Sequence, residues 1–425
     1  MKVEFTDEQR RGKVVAGVDT HSATHWLCVL NEYGGVRLSA EFAADAEGYD
    51  LLAKTIGSPA GCLAVGVEGT ASYGAGLTRR LQELGFTVYE VLRPKREKRR
   101  RGEGKNDAAD AERAARDVMA GRGLSVPKAQ DGWVEQVRFL LNARDCLVKS
   151  CTMISNTAKG LLKTAPEDMR ARYKGMSAKK LMSSLADAGD GPMESALSAL
   201  AEPWGKAREQ ADAAEAEMRA IIEANCPSLL AIFGCSAVCA AKLAAAAGDN
   251  PGRIGSEAAF AALCGTSPVQ ASSGETDRHR LNRGGNRDAN AALHQIVLVR
   301  VRRDPETRAY MEKRCSRGAG AKRKSKKEAM RCLQRYVARE VYHALRNPFG
   351  APSESEGARL RAAREKARLT QSDAAAAIGC SVSAISKFEA GKRRFREIGK
   401  RYREWVENGL PVNVQAPGEN AENLA

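Results

Sequence analysis

The chain has 425 residues, a formal net charge of +16 and 5% aromatic residues, enough length for two to four domains with a real hydrophobic core, which excludes a mini-protein held by staples. The excess of Lys and Arg points to an acidic partner, and its clustering makes nucleic acid the first candidate, because neutralising phosphates releases counterions; a solvated basic surface is the alternative. The 11 cysteines stand singly, often in apolar runs such as "WLCVL" and "AALCG", and Cys235 and Cys239 lack a second matching pair, so neither a disulfide framework nor a zinc site is expected. No signal peptide and no apolar run near the ~20 residues of a membrane span is read, so a soluble intracellular protein is expected.

In chain order, "KVVAGVDTHSATHWLCVLNEYGGVRLSAEF" reads as a strand, a hairpin and further strands, and residues 46 to 57 as a helix. "CLAVGVEG" is a short buried strand, "YGAGLTRRLQEL" a helix and "FTVYEVL" another strand. Alternating strands and helices predict an α/β domain with a partly parallel sheet. From about 108 to 225 Ala, Leu, Glu, Arg and Lys recur at helical spacing, predicting long helices that bundle or pair with another subunit. Residues 226 to 312 are mostly helical around a polar loop, "CGTSPVQASSGETDRHRLNRGGNRDAN". The basic run "RGAGAKRKSKK" precedes one more helix to about 345, and "NPFGAPSESEG" reads as a linker. The tail divides into short helices, with Thr370 as an N-cap, Gly379 closing that helix and Ser381 or Ser383 opening the next, the cadence of a helix-turn-helix.

Asp19 ends the strand "VVAGVD" and Glu68 ends "LAVGVE", at the carboxyl ends where α/β sheets place their ligand sites. Directly after the basic stretch "RPKREKRRRGEGK", Asp107 and Asp110 share one helix face if "KNDAADA" opens a helix. Four converging carboxylates repel one another unless cations sit among them, and an oxygen-rich set suits Mg²⁺ or Mn²⁺. Two such ions can activate a nucleophile and stabilise the leaving oxygen of a phosphodiester. The basic run, with Arg96, Lys98, Arg99 and Lys105, would then hold a nucleic-acid backbone beside the metals. The competing reading of Asp107 and Asp110 is that they complement a helix N-terminus, which leaves Asp19 and Glu68 without an account.

The ordered set "GVDTHSATHW", "VEGTASYGAGLTRRLQELGFTVYEV", "RPKREK" and "KNDAADAERAA" resembles the DEDD transposases of the IS110 family (IS110/IS116/IS902, related to the Piv invertases), and "AALCGTSPVQASSGETDRHRLNRGGNRDANAALHQI" resembles the family's C-terminal transposase domain. The resemblance covers roughly residues 13 to 345. It implies a RuvC-like, RNase H-like catalytic domain over 13–125, a helical coiled-coil or bundle spacer over 126–225 that serves dimerisation, and a mostly helical transposase domain with a serine motif over 226–345. It also implies that Asp19, Glu68, Asp107 and Asp110 bind metal and that Ser273, immediately before Gly274 and beside Ser272, is the nucleophile. A hydroxyl is a weak nucleophile until its proton is removed, so the metals must lie close by. Arg278, Arg280, Arg283 and Arg287 flank the serine and offer bidentate contact to phosphate; each reads equally as part of a solvated basic loop. His279 offers a proton shuttle that nothing in the sequence fixes in place. Phe233 stands where the family commonly has the proline of a Pro-Gly hairpin, and "CGTSP" replaces its usual Gly-Leu before the serine motif's proline.

Beyond a linker over 346–356, residues 357–410 form a small all-α tail that resembles the helix-turn-helix of Cro/C1-type repressors. Its second helix would lie in the major groove, with Gln371, Ser381, Ser383 and Lys387 facing DNA; a packing or dimerisation module is the alternative. As an IS110-type recombinase the protein is expected to move its own element, with DNA, a structured noncoding bridge RNA and homodimers pairing into a tetramer as partners, in the bacterial cytoplasm at the nucleoid. The rivals are a Piv-like site-specific invertase, a RuvC-like nuclease with no need of Ser273, and a DNA-binding regulator.

Overall fold

The computed structural model describes residues 5–92, 106–250, 252–271, 279–280, 282–316, 324–350, 356–389 and 396–408. A short helix α1 (Asp7–Arg10) precedes three antiparallel strands, β1 (Val14–Thr20), β2 (Thr24–Leu30) and β3 (Val36–Ala43). Helix α2 (Ala46–Ile56), β4 (Cys62–Glu68), α3 (Ala75–Glu83), β5 (Val88–Val91), α4 (Asp107–Met119) and the two-residue β6 (Leu124–Ser125) follow. The sheet has the order β3-β2-β1-β4-β5-β6, with β1, β4 and β5 parallel. This is the mixed α/β domain expected from the alternating pattern.

Strand β1 is buried along its whole length because both sheet faces are covered. Val14, Ala16 and Val18 pack with Leu52, Ile56, Leu77 and Leu81 of α2 and α3. Val15 instead joins Ala111, Ala114, Ala115 and Val118 of α4. Side chains alternate across a strand, so Gly17 and Asp19 share the α4 side with Val15, as Gly66 and Glu68 do with Ala64. A Cβ on Gly17 would run into the backbone of α4 at Ala111 and Ala115, and one on Gly66 into Val118 and Val91. The repeated Gly-Val-acid pattern therefore lets the helix lie against both strands, with each acid two residues further on, level with the helix N-terminus.

Two long helices, α5 (Trp133–Thr164) and α8 (Pro192–Asn225), pair side by side, with α6 (Glu167–Tyr173) and α7 (Ala178–Leu185) between them in sequence. Arg144 and Glu215 bridge the pair at 3.2 Å. A second core gathers α9 (Pro227–Leu230), α10 (Ala237–Ala247), α11 (Glu257–Leu263), α12 (Arg287–Arg303) and α14 (Lys326–Arg346). Between them lie the two-stranded β7 (Val269–Gln270) and β8 (His279–Arg280), and α13 (Pro305–Cys315). Helix α10, "AVCAAKLAAAA", is buried on nearly every side, which its small residues permit by letting neighbouring helices approach closely. Asp249 ties this core to the helical pair: its Oδ1 accepts the Val134 amide at 2.8 Å, capping α5 where Gly132 has no side chain to do so. Gly234, at φ +86°, turns the chain between α9 and α10 against Ile296 and Val299 of α12, and Arg300 donates to the Phe233 carbonyl at 2.8 Å.

The chain separates into two compact units, up to Arg346 and from Asn347. The second holds α15 (Glu356–Lys366), α16 (Gln371–Ile378), α17 (Val382–Glu389) and α18 (Arg396–Glu407) around Leu360, Ala374, Ile378, Ile385, Phe388 and Tyr402. Thr370 and Asp373 form a capping box at the start of α16, and Gly379 ends it in the left-handed region. No helix among the described residues is long and apolar enough to cross a membrane.

Candidate functional site

Asp19 and Glu68 stand at the ends of adjacent parallel strands, one residue beyond the paired Val18 and Val67, and only 5% and 4% of their surfaces are exposed. Two buried carboxylates so placed require compensating positive charge. Helix α4 brings Asp107 and Asp110 to them in its first turn. Its N-cap is Asn106, whose side chain accepts the Ala108 amide. Capping therefore does not depend on Asp107 or Asp110, although both complement the helix dipole.

The acids do not close into a single ring. His21 Nε2 lies 3.1 Å from Asp19 Oδ2 and 3.2 Å from Asp107 Oδ1, and donor atoms of these three residues all lie within 4.8 Å of one another. On the other side Arg113 donates to Glu68 Oε1 and, at 3.4 Å, to Asp110 Oδ1. Burial pushes the Glu68 carboxyl above the usual carboxylate range; Arg113 pulls it back, while Asp19 and Asp110 push it further up. The site thus has an Asp19–His21–Asp107 half and a Glu68–Arg113–Asp110 half.

Sequence reasoning grouped the four acids and did not single out His21 or Arg113. The signals were present: His21 follows Asp19 by two residues, the strand period, and Arg113 follows Asp110 by three, one helical turn. The other histidine of the motif, His25, is a core residue, wholly buried and stacked on Tyr49 at 5.5 Å. Desolvation holds its imidazole below the ordinary range, hence neutral.

Ser273, Arg278, Arg96, Lys98, Arg99 and Lys105 lie outside the described residues. Arg280 on β8, Arg283, and Arg287 at the start of α12 are exposed, as is His279. In the C-terminal unit Ser381, Ser383 and Lys387 are exposed on and just before α17, and the Ser381 hydroxyl accepts the Ala384 amide at 3.3 Å. Gln371 is half-buried and its amide nitrogen donates to Glu389 Oε2 at 2.8 Å.

Comparison with known families matches three segments in order. Residues 16–166 match the model of the IS110-type DEDD transposase, described as "Transposase". Residues 226–312 match "Transposase IS116/IS110/IS902 family" and residues 357–399 match "Helix-turn-helix domain". No curated protein matches the chain.

Proposed function

We propose that this chain, which belongs to the IS110 family of transposases and carries a C-terminal helix-turn-helix, is the recombinase of an insertion sequence that cuts and rejoins DNA at a metal-binding carboxylate site with Ser273 as nucleophile. The observation that carries the reading is the pair of buried carboxylates, Asp19 and Glu68, on neighbouring strand ends beneath the acidic first turn of α4. The sheet order, three antiparallel strands followed by two parallel ones, supports a RuvC-like domain.

Carboxylate oxygens from two strands and a helix are the donor set that hard divalent cations take, and the buried acids need the positive charge such an ion brings. Asp19, Glu68, Asp107 and Asp110 would hold Mg²⁺ or Mn²⁺. When bound, the ion lowers the pKa of an attacking hydroxyl and stabilises charge on the departing oxygen. The chain supplies the rest. The Ser273 oxygen forms a bond to phosphorus as the bond to the 3′ oxygen breaks, and the serine proton passes to a nearby base. The phosphoserine link conserves the bond energy for rejoining, when a DNA hydroxyl displaces the serine. Exposed Arg280, Arg283 and Arg287 are placed in sequence to clamp the phosphates beside that serine.

The reading is tested in cells with the gene and its native flanking DNA on a plasmid. Rejoined circular junctions are expected from wild type and from neither Asp110→Ala nor Ser273→Ala. Junctions that persist in Ser273→Ala would remove the serine from the mechanism and leave metal-only chemistry.

Assembly into dimers that pair as tetramers follows from the need to exchange four strands. Helix α5 supports it, because Phe139, Cys146, Met153 and Leu161 are exposed along one stripe, Phe139 and Met153 at 65% and 64%. At 1.5 Å per residue the stripe runs about 33 Å, long enough for a helix-to-helix seam. Joint substitution of Phe139 and Met153 by Glu is expected to convert the assembly to monomers in light scattering coupled to gel filtration; an unchanged mass would place the interface elsewhere. The basic character of the chain supports a structured RNA as a further partner. The helix-turn-helix binds DNA, with the exposed residues of α17 as its groove-reading face.

A further inference from the structure

The two halves of the carboxylate site are bridged by side chains of different kinds. His21 is compact and belongs to the strand end, whereas Arg113 is a long, permanently charged side chain reaching over from α4. Its guanidinium meets Glu68, Asp110 and, at 4.0 Å, Asp117 one turn further along the helix. A divalent ion held between Glu68 and Asp110 would meet the Arg113 guanidinium that now bridges Glu68 Oε1 and Asp110 Oδ1, and two cations at that spacing repel. Asp117 gives the guanidinium somewhere to go: it lies on the same helix face, is about three-quarters buried, and its only other ion partner among the described residues is the exposed Arg122 at 3.8 Å.

Resting on the metal reading above, we infer that Arg113 is a displaceable counter-ion: it occupies the Glu68–Asp110 half of the site and withdraws toward Asp117 when an ion enters. An ion in the Glu68–Asp110 half therefore binds more weakly than the carboxylates alone would hold it, because a guanidinium must first be released. Arg113 is in this sense a positioning residue that acts through Glu68.

The test is calorimetric titration of the full chain with Mn²⁺, without DNA. Arg113→Gln is expected to tighten Mn²⁺ binding about tenfold over wild type, the scale of one charged hydrogen bond. Arg113→Lys, which keeps the charge but loses the fork, is expected between the two. Arg116→Gln, which breaks the Arg116–Glu112 pair on the same helix and touches none of the acids, should bind as wild type does. As a second readout, Arg113→Gln should melt at a lower temperature in chelator and gain more from saturating Mn²⁺ than wild type. Unchanged or weaker Mn²⁺ binding in Arg113→Gln, with wild-type binding intact, overturns the counter-ion role alone. Failure of wild type to bind Mn²⁺ at all overturns the metal reading, and this inference with it.

Discussion

Replacing Gly17 with alanine is expected to silence strand cutting although no acid is touched. The added methyl would collide with Ala111 O and with the backbone of Ala115. Neither contact is the end of a flexible side chain, so α4 must lift off the sheet. Asp107 and Asp110 ride on its first turn, and a displacement of about 1 Å at a reacting centre can cost roughly 10²-fold in rate. Overpacking should also lower stability by about 1–3 kcal/mol. The same change at Gly160, in the interior of α5 with nothing within 4 Å of its added Cβ, should instead stabilise by about 1 kcal/mol. Junction formation and thermal denaturation of both variants check this. A Gly17→Ala protein that excises normally would show that α4 does not set the spacing of the acids.

Strand ends and an acidic helix start are local patterns, so Asp19, Glu68, Asp107 and Asp110 could be grouped from hydropathy and spacing alone. Gly17 and Gly66 carry no such signal, because a glycine in a strand announces close approach without saying of what; only the tertiary packing identifies α4. Arg113 was hidden for a related reason. Among the many arginines of the helical segments it reads as solvated surface, and its meaning comes from Glu68, 45 residues away. Asp249 capping α5 across 115 residues is equally beyond local pattern. Conversely, the two ends of α16 were readable, since Thr370 and Gly379 act through caps that are local in sequence.

Within the tail, replacing Glu389 with leucine is expected to unfold the C-terminal unit and abolish its DNA binding. Glu389 and Arg364 have side chains 1% and 6% exposed and pair through two hydrogen bonds of 2.7 and 3.0 Å. Tyr402 donates to the same carboxylate at 2.6 Å and Gln371 at 2.8 Å. Removing the acid strands a buried guanidinium, a loss of about 3–5 kcal/mol. A unit this small has a margin of roughly that size. Converting Arg364 to methionine in the same protein removes the stranded charge and should restore most of the fold. The pair also sets a pH dependence. Burial alone would raise the Glu389 carboxyl, but hydrogen bonds from Arg364, Tyr402 and Gln371 outweigh it and hold the group below the usual carboxylate range. A depressed folded-state value contributes stability that is complete above the unfolded glutamate value of about 4.3 and is lost as pH falls through the folded one. Hydrogen exchange of the tail peptides in the full chain should therefore stay slow and level through neutral pH in wild type, after correction for intrinsic exchange, and lose protection only on the acid side. In Glu389→Leu protection should be absent at every pH, whereas protection persisting there at neutral pH would show that the apolar cluster around Tyr402 holds the unit together without the ion pair.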